Sequence, residues 1–237
     1  MIAAEHAEVI DDFSAFGVHG YTTTRAFGTF GAGGTDAVRE VMGRWDAVVA
    51  DAASRGVRRL ATAKQVHGAS VIVHVPGWEG WLRCLEGDGH ASTARGTALA
   101  VTIADCVPVF LAHPSGAVAL LHSGWRGTAA RIVERGIDVL AHRGCPTTEL
   151  RMHLGPAVCG ACYEVSAEVY AKVTGESTAA PRTVDLRAII AEHARARGVA
   201  HVSISPWCTR HHNDRFFSHR AGDAGRQIAV LLATPLH

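Results

Sequence analysis

Three short motifs hold the residues of this chain whose types and placement ask for chemistry as well as packing. Thr102-Ile103-Ala104-Asp105-Cys106 brings an acid and a thiol to the end of an apolar run. Leu121-His122-Ser123-Gly124-Trp125-Arg126-Gly127 brings a histidine to the end of a second run, then breaks into glycines and an arginine. Lys64-Gln65-Val66-His67-Gly68 sets another histidine at the start of a β-branched stretch. Two imidazoles and a thiolate leave one tetrahedral position open, which suits a catalytic zinc holding water. A cysteine near a histidine equally suits a nucleophile and its base. The intervals between His67, Cys106 and His122 match no local zinc-finger signature, and a lone histidine is ordinarily a hydrogen-bonded structural residue. Spacing alone therefore leaves both chemistries open. Asp105 would orient a ligand imidazole or accept a proton; its plainer role is capping a turn.

Gly124-Trp125-Arg126-Gly127-Thr128 opens a helix directly after a strand, where free N–H groups and Arg126 suit an anion such as phosphate. No Gly-Lys-Ser/Thr follows, so it is not a Walker loop, and a tight βα turn with Trp125 in the core is the alternative. Cys159-Gly160-Ala161-Cys162 has the spacing of redox and zinc sites, but a structural zinc needs a second pair, which Cys208 alone does not supply. Arg215-Phe216-Phe217-Ser218-His219-Arg220 reads either as a packed edge with snorkelling arginines or as a wall that stacks on a base and clamps phosphate.

These residues need strands to carry them. Val66–Val75, Ala98–Ala104, Val107–Ala112, Ala117–Leu121, Leu150–Leu154, Val199–Ile204 and Gln227–Ala233 read as strands. The turn signal His113-Pro114-Ser115-Gly116 joins two of them. Helical spacing runs over Thr128–Ala141, from the N-cap Ser166 to Val173 with Gly175 as stop, and over Asp185–Arg197 before Gly198. A further helix is expected from Thr35 to about Ala53, with Val38, Val41, Met42, Trp45, Val48 and Val49 as its buried stripe. Hairpins mixed with helices favour mixed sheets with helices outside over a doubly wound parallel sheet.

The bulk properties narrow the class. The 237 residues are 48% hydrophobic and 19% charged, enough to bury a full core. A formal net charge of +1 without like-charge blocks argues against a nucleic-acid or acidic-membrane surface. Met1-Ile2-Ala3-Ala4-Glu5-His6 shows no secretory signal, and Ala98–Ala112 is interrupted by Asp105 and Pro108, too short to span a bilayer. A soluble, cytoplasmic protein is expected. Six cysteines are too sparse for a disulfide scaffold, which turns attention to metal binding or catalysis.

Gln65-Val66-His67-Gly68, Ala104-Asp105-Cys106, His122 to Gly127, Leu154-Gly155-Pro156, Cys162-Tyr163-Glu164-Val165, Asp185-Leu186-Arg187 and Arg215-Phe216-Phe217-Ser218 follow one another in this order. Together they resemble the YfiH-like family, also called the polyphenol-oxidase or laccase-domain family, whose members are regarded as purine nucleoside phosphorylases. The likeness runs from about Gly20 to Leu232. It implies one catalytic domain over residues 1–237, a four-layer α/β/β/α sandwich with mixed sheets, similar to a bacterial toxin deamidase. The family's metal ligands, usually zinc, map onto His67, Cys106 and His122.

The resemblance further implies phosphorolysis of adenosine, inosine and methylthioadenosine to free base and ribose 1-phosphate, with deamination of adenosine as a side activity. Deamination would draw on water whose pKa a zinc ion lowers toward ~7, with Asp105 carrying the proton. Arg126, Arg220 and Arg25 are the candidates for holding phosphate. Alternatives are a Cys–His amide hydrolase of peptidoglycan precursors built on Cys106 with His122 or His67 as base, a zinc or thiol sensor without turnover, and a copper polyphenol oxidase. Against copper, coupled copper centres draw on His-x-His pairs, and the chain has none.

Two segments depart from the family pattern. Thr23–Gly31 is shortened, keeping only Arg25 and the glycines. The C-terminal motif reads Cys208-Thr209-Arg210, Asn213-Asp214 and His219-Arg220-Ala221. A shifted substrate preference or a low activity is what these departures imply. Oligomeric state stays open.

Overall fold

The computed structural model describes residues 5–31 and 36–236. In chain order its strands are β1 (Ala7–Ile10), β2 (Val18–Thr23), β3 (Arg59–Lys64), β4 (Val71–Val73), β5 (Gly80–Glu86), β6 (Gly89–Ser92) and β7 (Thr97–Ile103). There follow β8 (Val107–Ala112), β9 (Val118–Ser123), β10 (Arg151–Leu154), β11 (Glu164–Val165), β12 (Arg182–Thr183), β13 (His201–Ile204) and β14 (Gln227–Ala233). The helices are α1 (Val38–Ser54), α2 (Trp125–Ala129), α3 (Ile132–Ala141), α4 (Ala167–Thr174) and α5 (Leu186–Ala196).

Two six-stranded mixed sheets, ordered β1-β2-β14-β7-β3-β5 and β13-β10-β8-β9-β6-β4, pack face to face. The near-continuous apolar runs of β7, β8, β9 and β14 follow from burial on both faces. Along β14, Ile228, Val230 and Leu232 point at α1, while Ala229, Leu231 and Ala233 point at the other sheet. Along β8, Val107, Val109 and Leu111 point at the helices α3 and α5, while Phe110 and Ala112 enter the inter-sheet core. The layers are thus α1, first sheet, second sheet and the remaining helices, the α/β/β/α order expected. Among the described residues, no helix is long and apolar enough to cross a membrane.

The second sheet grows from chain that has just left the first. The connections β3 to β4, β5 to β6 and β7 to β8 each step from one sheet to the other. Those three crossings carry His67, Asp88 and Cys106 respectively.

Several expected elements change. Only Val71–Val73 of Val66–Val75 is strand, because His67 takes φ +59° and the N–H groups of Val66, His67 and Gly68 bond the Asp88 carboxylate instead of a ladder. The helix expected over Thr128–Ala141 is two helices, broken where Arg131 takes φ +60°. Helix α1 starts at Val38; the expected start, Thr35, lies outside the described residues, as do Met1–Ala4. Its buried stripe is Val41, Trp45, Val48 and Ala52, whereas Val38 and Met42 are exposed. Strands β1, β2, β3, β5 and β6 have mixed polar composition or are short, and no apolar run announces them.

Candidate active site

His67, Cys106 and His122 come together, each offering one ligand atom, with those atoms within 4.8 Å of one another. His67 is exposed, Cys106 half-buried and His122 buried. The two imidazole rings meet edge to face, with centroids 4.9 Å apart. His122 stands near the end of β9, and the chain must then turn away at once. Gly124 allows this, since a Cβ there would lie 2.8 Å from Cys106 Sγ.

Asp88 organises the trio. It is fully buried, and His122 Nδ1 donates to its Oδ1 at 2.9 Å. That bond turns His122 Nε2 toward Cys106, the arrangement in which a carboxylate orients a metal-ligating histidine. The same carboxylate accepts from the backbone N–H groups of Val66 (3.2 Å), His67 (2.9 Å) and Gly68 (2.7 Å). One side chain thus fixes one imidazole directly and the other through its backbone. Burial alone would raise the Asp88 pKa, but the hydrogen bonds from His122 and Gly68 outweigh it and hold the carboxyl below its usual range.

Burial also works against charge on Cys106 and His122, and again neighbours win. The imidazole charge of His122, with hydrogen bonds from His122 and His67, holds the Cys106 thiol well below its ordinary value. The Cys106 thiolate and the Asp88 hydrogen bond hold His122 above its own. Each of the two thus favours the charged form of the other, a thiolate beside an imidazolium on a buried carboxylate. Two imidazoles and a thiolate already polarised for deprotonation are a donor set that fits zinc.

The trio lies in the wall of a cavity of about 860 Å³, which Arg126, Arg220, Asp105, Tyr163 and Trp81 also line. Arg126 lies over the Trp125 ring at 4.3 Å and Arg220 over the Tyr163 ring at 4.7 Å, both arginines being exposed. Asp105 is buried and takes φ +80°, an unusual backbone for a residue with a Cβ. Its Oδ1 accepts from the Thr209 hydroxyl at 2.6 Å and its Oδ2 from the Arg220 N–H at 2.7 Å.

Arg25 is not brought to this cavity. It pairs with Asp223 at 2.6 Å, donates to the carbonyls of Asn213 and Phe216, and lies over the Phe217 ring. Asp88 escaped the sequence reading, and Gln65 stood in its motif without a role; it ties the His67 loop to β7 by donating to the Thr102 carbonyl and accepting from its N–H and hydroxyl. Gly87-Asp88-Gly89 offered one signal, a lone acid between glycines ahead of a short strand. A second thiol cluster joins Cys159, Cys162 and Cys208 to His211. The partner that Cys159-x-x-Cys162 lacked in the sequence is Cys208 together with His211.

A family model described as multi-copper polyphenol oxidoreductase laccase matches residues 22–234. Purine nucleoside phosphorylase ORF3 of Streptomyces griseus is 35% identical over 170 residues, 68% of this chain and 69% of its own. Purine nucleoside phosphorylase SCO2081 of Streptomyces coelicolor is 37% identical over 176 residues, 71% and 72% of the two chains. Among solved structures, the Bacillus licheniformis hypothetical protein YfiH superposes with a TM-score of 0.85 at 21% identity, covering 99% of this chain and 98% of its own. The Neisseria meningitidis protein NMB0706 gives 0.83 at 23%, covering 97% and 100%.

Proposed function

This chain belongs to the multi-copper polyphenol oxidoreductase laccase family, the YfiH-like proteins, and we propose that within it the protein is a zinc-dependent purine nucleoside phosphorylase. The observation that carries the reading is the oriented His67–Cys106–His122 trio in the wall of a cavity that Arg126 and Arg220 also line. Its relatives named purine nucleoside phosphorylase support the reaction class. The substrates are adenosine, inosine or S-methyl-5′-thioadenosine, with phosphate. Residues 1–237 act as one catalytic domain in this reading, and thiolate ligands suit a reducing, cytoplasmic setting.

Zinc held by His67, Cys106 and His122 would supply Lewis acidity and an activated water. The chain's own residues do the rest. Arg126 and Arg220 hold phosphate by charge-assisted bonds and present it to the anomeric carbon. The flat faces of Trp81 and Tyr163 suit a purine. Arg25, committed to Asp223, supports the wall behind Phe217 and leaves anion binding to the other two. Deamination of adenosine is the side activity of the same cavity. There Asp105 carries a proton to the departing ammonia, its carboxylate retaining lone pairs beyond those used by Thr209 and Arg220.

Zinc is favoured over copper by the donor supply. Among the described residues, neither thiol–histidine group unites more than two histidines, too few for a coupled copper centre. The test is incubation with adenosine and phosphate, followed by separation of adenine, inosine, hypoxanthine and ribose 1-phosphate. Adenine and ribose 1-phosphate are expected from the metal-loaded protein and should be lost in Cys106→Ala. Undiminished phosphorolysis by metal-free Cys106→Ala would overturn the assignment.

One observation favours a second reading. A thiol held low by two histidines is what a cysteine nucleophile requires, and amide hydrolysis would use Cys106 with His122 as base. Iodoacetamide separates the two: protection by zinc with no covalent intermediate marks a ligand, and a trapped acyl-cysteine marks the nucleophile.

A further inference from the structure

We propose that Cys159, Cys162, Cys208 and His211 form a second zinc site, a closed structural one, which clamps the loop after β10 to the loop after β13. Their four ligand atoms lie within 4.8 Å of one another. Four ligands around one zinc at Zn–S of about 2.3 Å lie roughly 3.8 Å apart, so the cluster needs only small side-chain adjustments to close on an ion. Cys162 Sγ is 3.1 Å from His211 Nε2, and Cys159 Sγ is 3.7 Å from His211 Nδ1.

The pattern also has the form of a knuckle. Cys159-x-x-Cys162 and Cys208-x-x-His211 are two pairs of equal spacing on tight turns, with the Cys162 N–H bonded to the Cys159 carbonyl. The Cys159 N–H donates to Cys208 Sγ at 3.3 Å. A backbone donor of this kind stabilises a metal-bound thiolate, the outer-shell role that tunes ligands at metal sites. Three thiolates and one imidazole complete a tetrahedron and leave no position for substrate, the mark of a structural site. The His67, Cys106 and His122 trio lacks that fourth ligand. The difference is between holding and reacting.

The location explains what would be held. Strands β10 and β13 are parallel neighbours, and each loop leaves the same end of that pair. Ala157 forms a bridge with Cys208 just beyond them. The Val158 N–H bonds the Asp105 carbonyl, and Thr209, next to Cys208, bonds the Asp105 carboxylate. Tyr163, next to Cys162, lines the cavity beneath Arg220. Apolar support there is slight, a small separate cluster of Val158, Cys162 and Cys208. A bound ion supplies cohesion that packing does not, fixing a wall of the cavity from behind.

The inference does not depend on the proposed activity, and its test reads metal. Cys106→Ser disables the first site and leaves these four ligands untouched. Purified under reducing conditions and dialysed with zinc, it should retain one zinc per chain, where the parent holds two. After chelation its melting temperature should fall, and cobalt should restore it with strong thiolate-to-metal charge-transfer absorption. Adding His211→Ala to Cys106→Ser should weaken or abolish retention through dialysis, and His211→Cys should keep it; His211 is exposed, so neither change threatens the core. The proposal fails if folded Cys106→Ser retains no zinc and gives no cobalt charge transfer. It also fails if mass spectrometry finds a Cys159–Cys162 disulfide in place of metal.

Discussion

The chemistry of the site depends on a residue that is not itself one of the three candidate ligands. Asp88 has both oxygens committed, to His122 and to three consecutive N–H groups of the His67 loop. An asparagine keeps its shape but replaces one acceptor by a donor and removes the charge that favours the donating His122 tautomer. Asp88→Asn should weaken zinc binding at the trio by about 10–100-fold, the usual loss when an outer-shell partner of a ligand is removed. Competition against a chromogenic chelator, in a Cys159→Ser background, measures it. An affinity within twofold of that background would mean that Asp88 does no more than fill its site. Asp105 belongs to the same scale. Its acid at the end of an apolar run was legible; its left-handed backbone and its ties to Thr209 and Arg220 join distant chain, which no local pattern encodes.

At the scale of elements, the candidate metal site is assembled where strands change sheets. Three crossings bring His67, Asp88 and Cys106 against the end of β9, and the chain then escapes through Gly124. Gly124→Ala should drive a methyl against Cys106 Sγ and separate the ligands. The expected result is a loss of zinc from the trio with the far-ultraviolet circular dichroism unchanged; full zinc occupancy would show that the turn can yield. Helix ends are more local and were correspondingly easier to read. Ser166 caps α4 by accepting from the Val169 N–H, with Gly175 left-handed at its end, and Asp185 caps α5 by accepting from Arg187 and Ala188. Asp185→Ala should therefore cost about 1 kcal/mol in urea unfolding, as removal of such caps does. A change below about 0.3 kcal/mol would show the bonds to be replaced by water. Caps are set by a few adjacent residues. The loss of the expected strand at its Val66 end is instead set by a distant partner, Asp88, so β-branching overran it; the left-handed break at Arg131 between α2 and α3 has no mark in the helical spacing.

Five histidines across the molecule sit where burial disfavours the charged imidazole. Burial lowers the pKa of His19, His74, His90, His153 and His193, taking His153 to about 4 and His90 to about 3. His153 faces the inter-sheet core beside Phe110, with Ser203 as its hydrogen-bond partner. An unfolded histidine takes a proton near pH 6.5, so between there and about pH 4 the unfolded chain binds more protons at position 153 than the folded one. Stability must then rise with pH across that window and fall on acidification, by up to about 1.4 kcal/mol per pH unit from position 153. Glu8, whose pKa burial raises, works in the opposite sense, as does His122 above pH 6.5. The depressed carboxyls Asp88 and Asp223 lose their contribution only at lower pH, below their ordinary value of 3.8. Urea unfolding between pH 7 and pH 5 should thus show a steep loss of stability. His153→Leu should flatten that slope by about 0.9 kcal/mol per pH unit averaged over this range, since Ser203 keeps Asp12 as a partner and leaves no group stranded. An unaltered slope in the variant would mean that His153 is protonated in the folded protein, and that the core at this point admits charge.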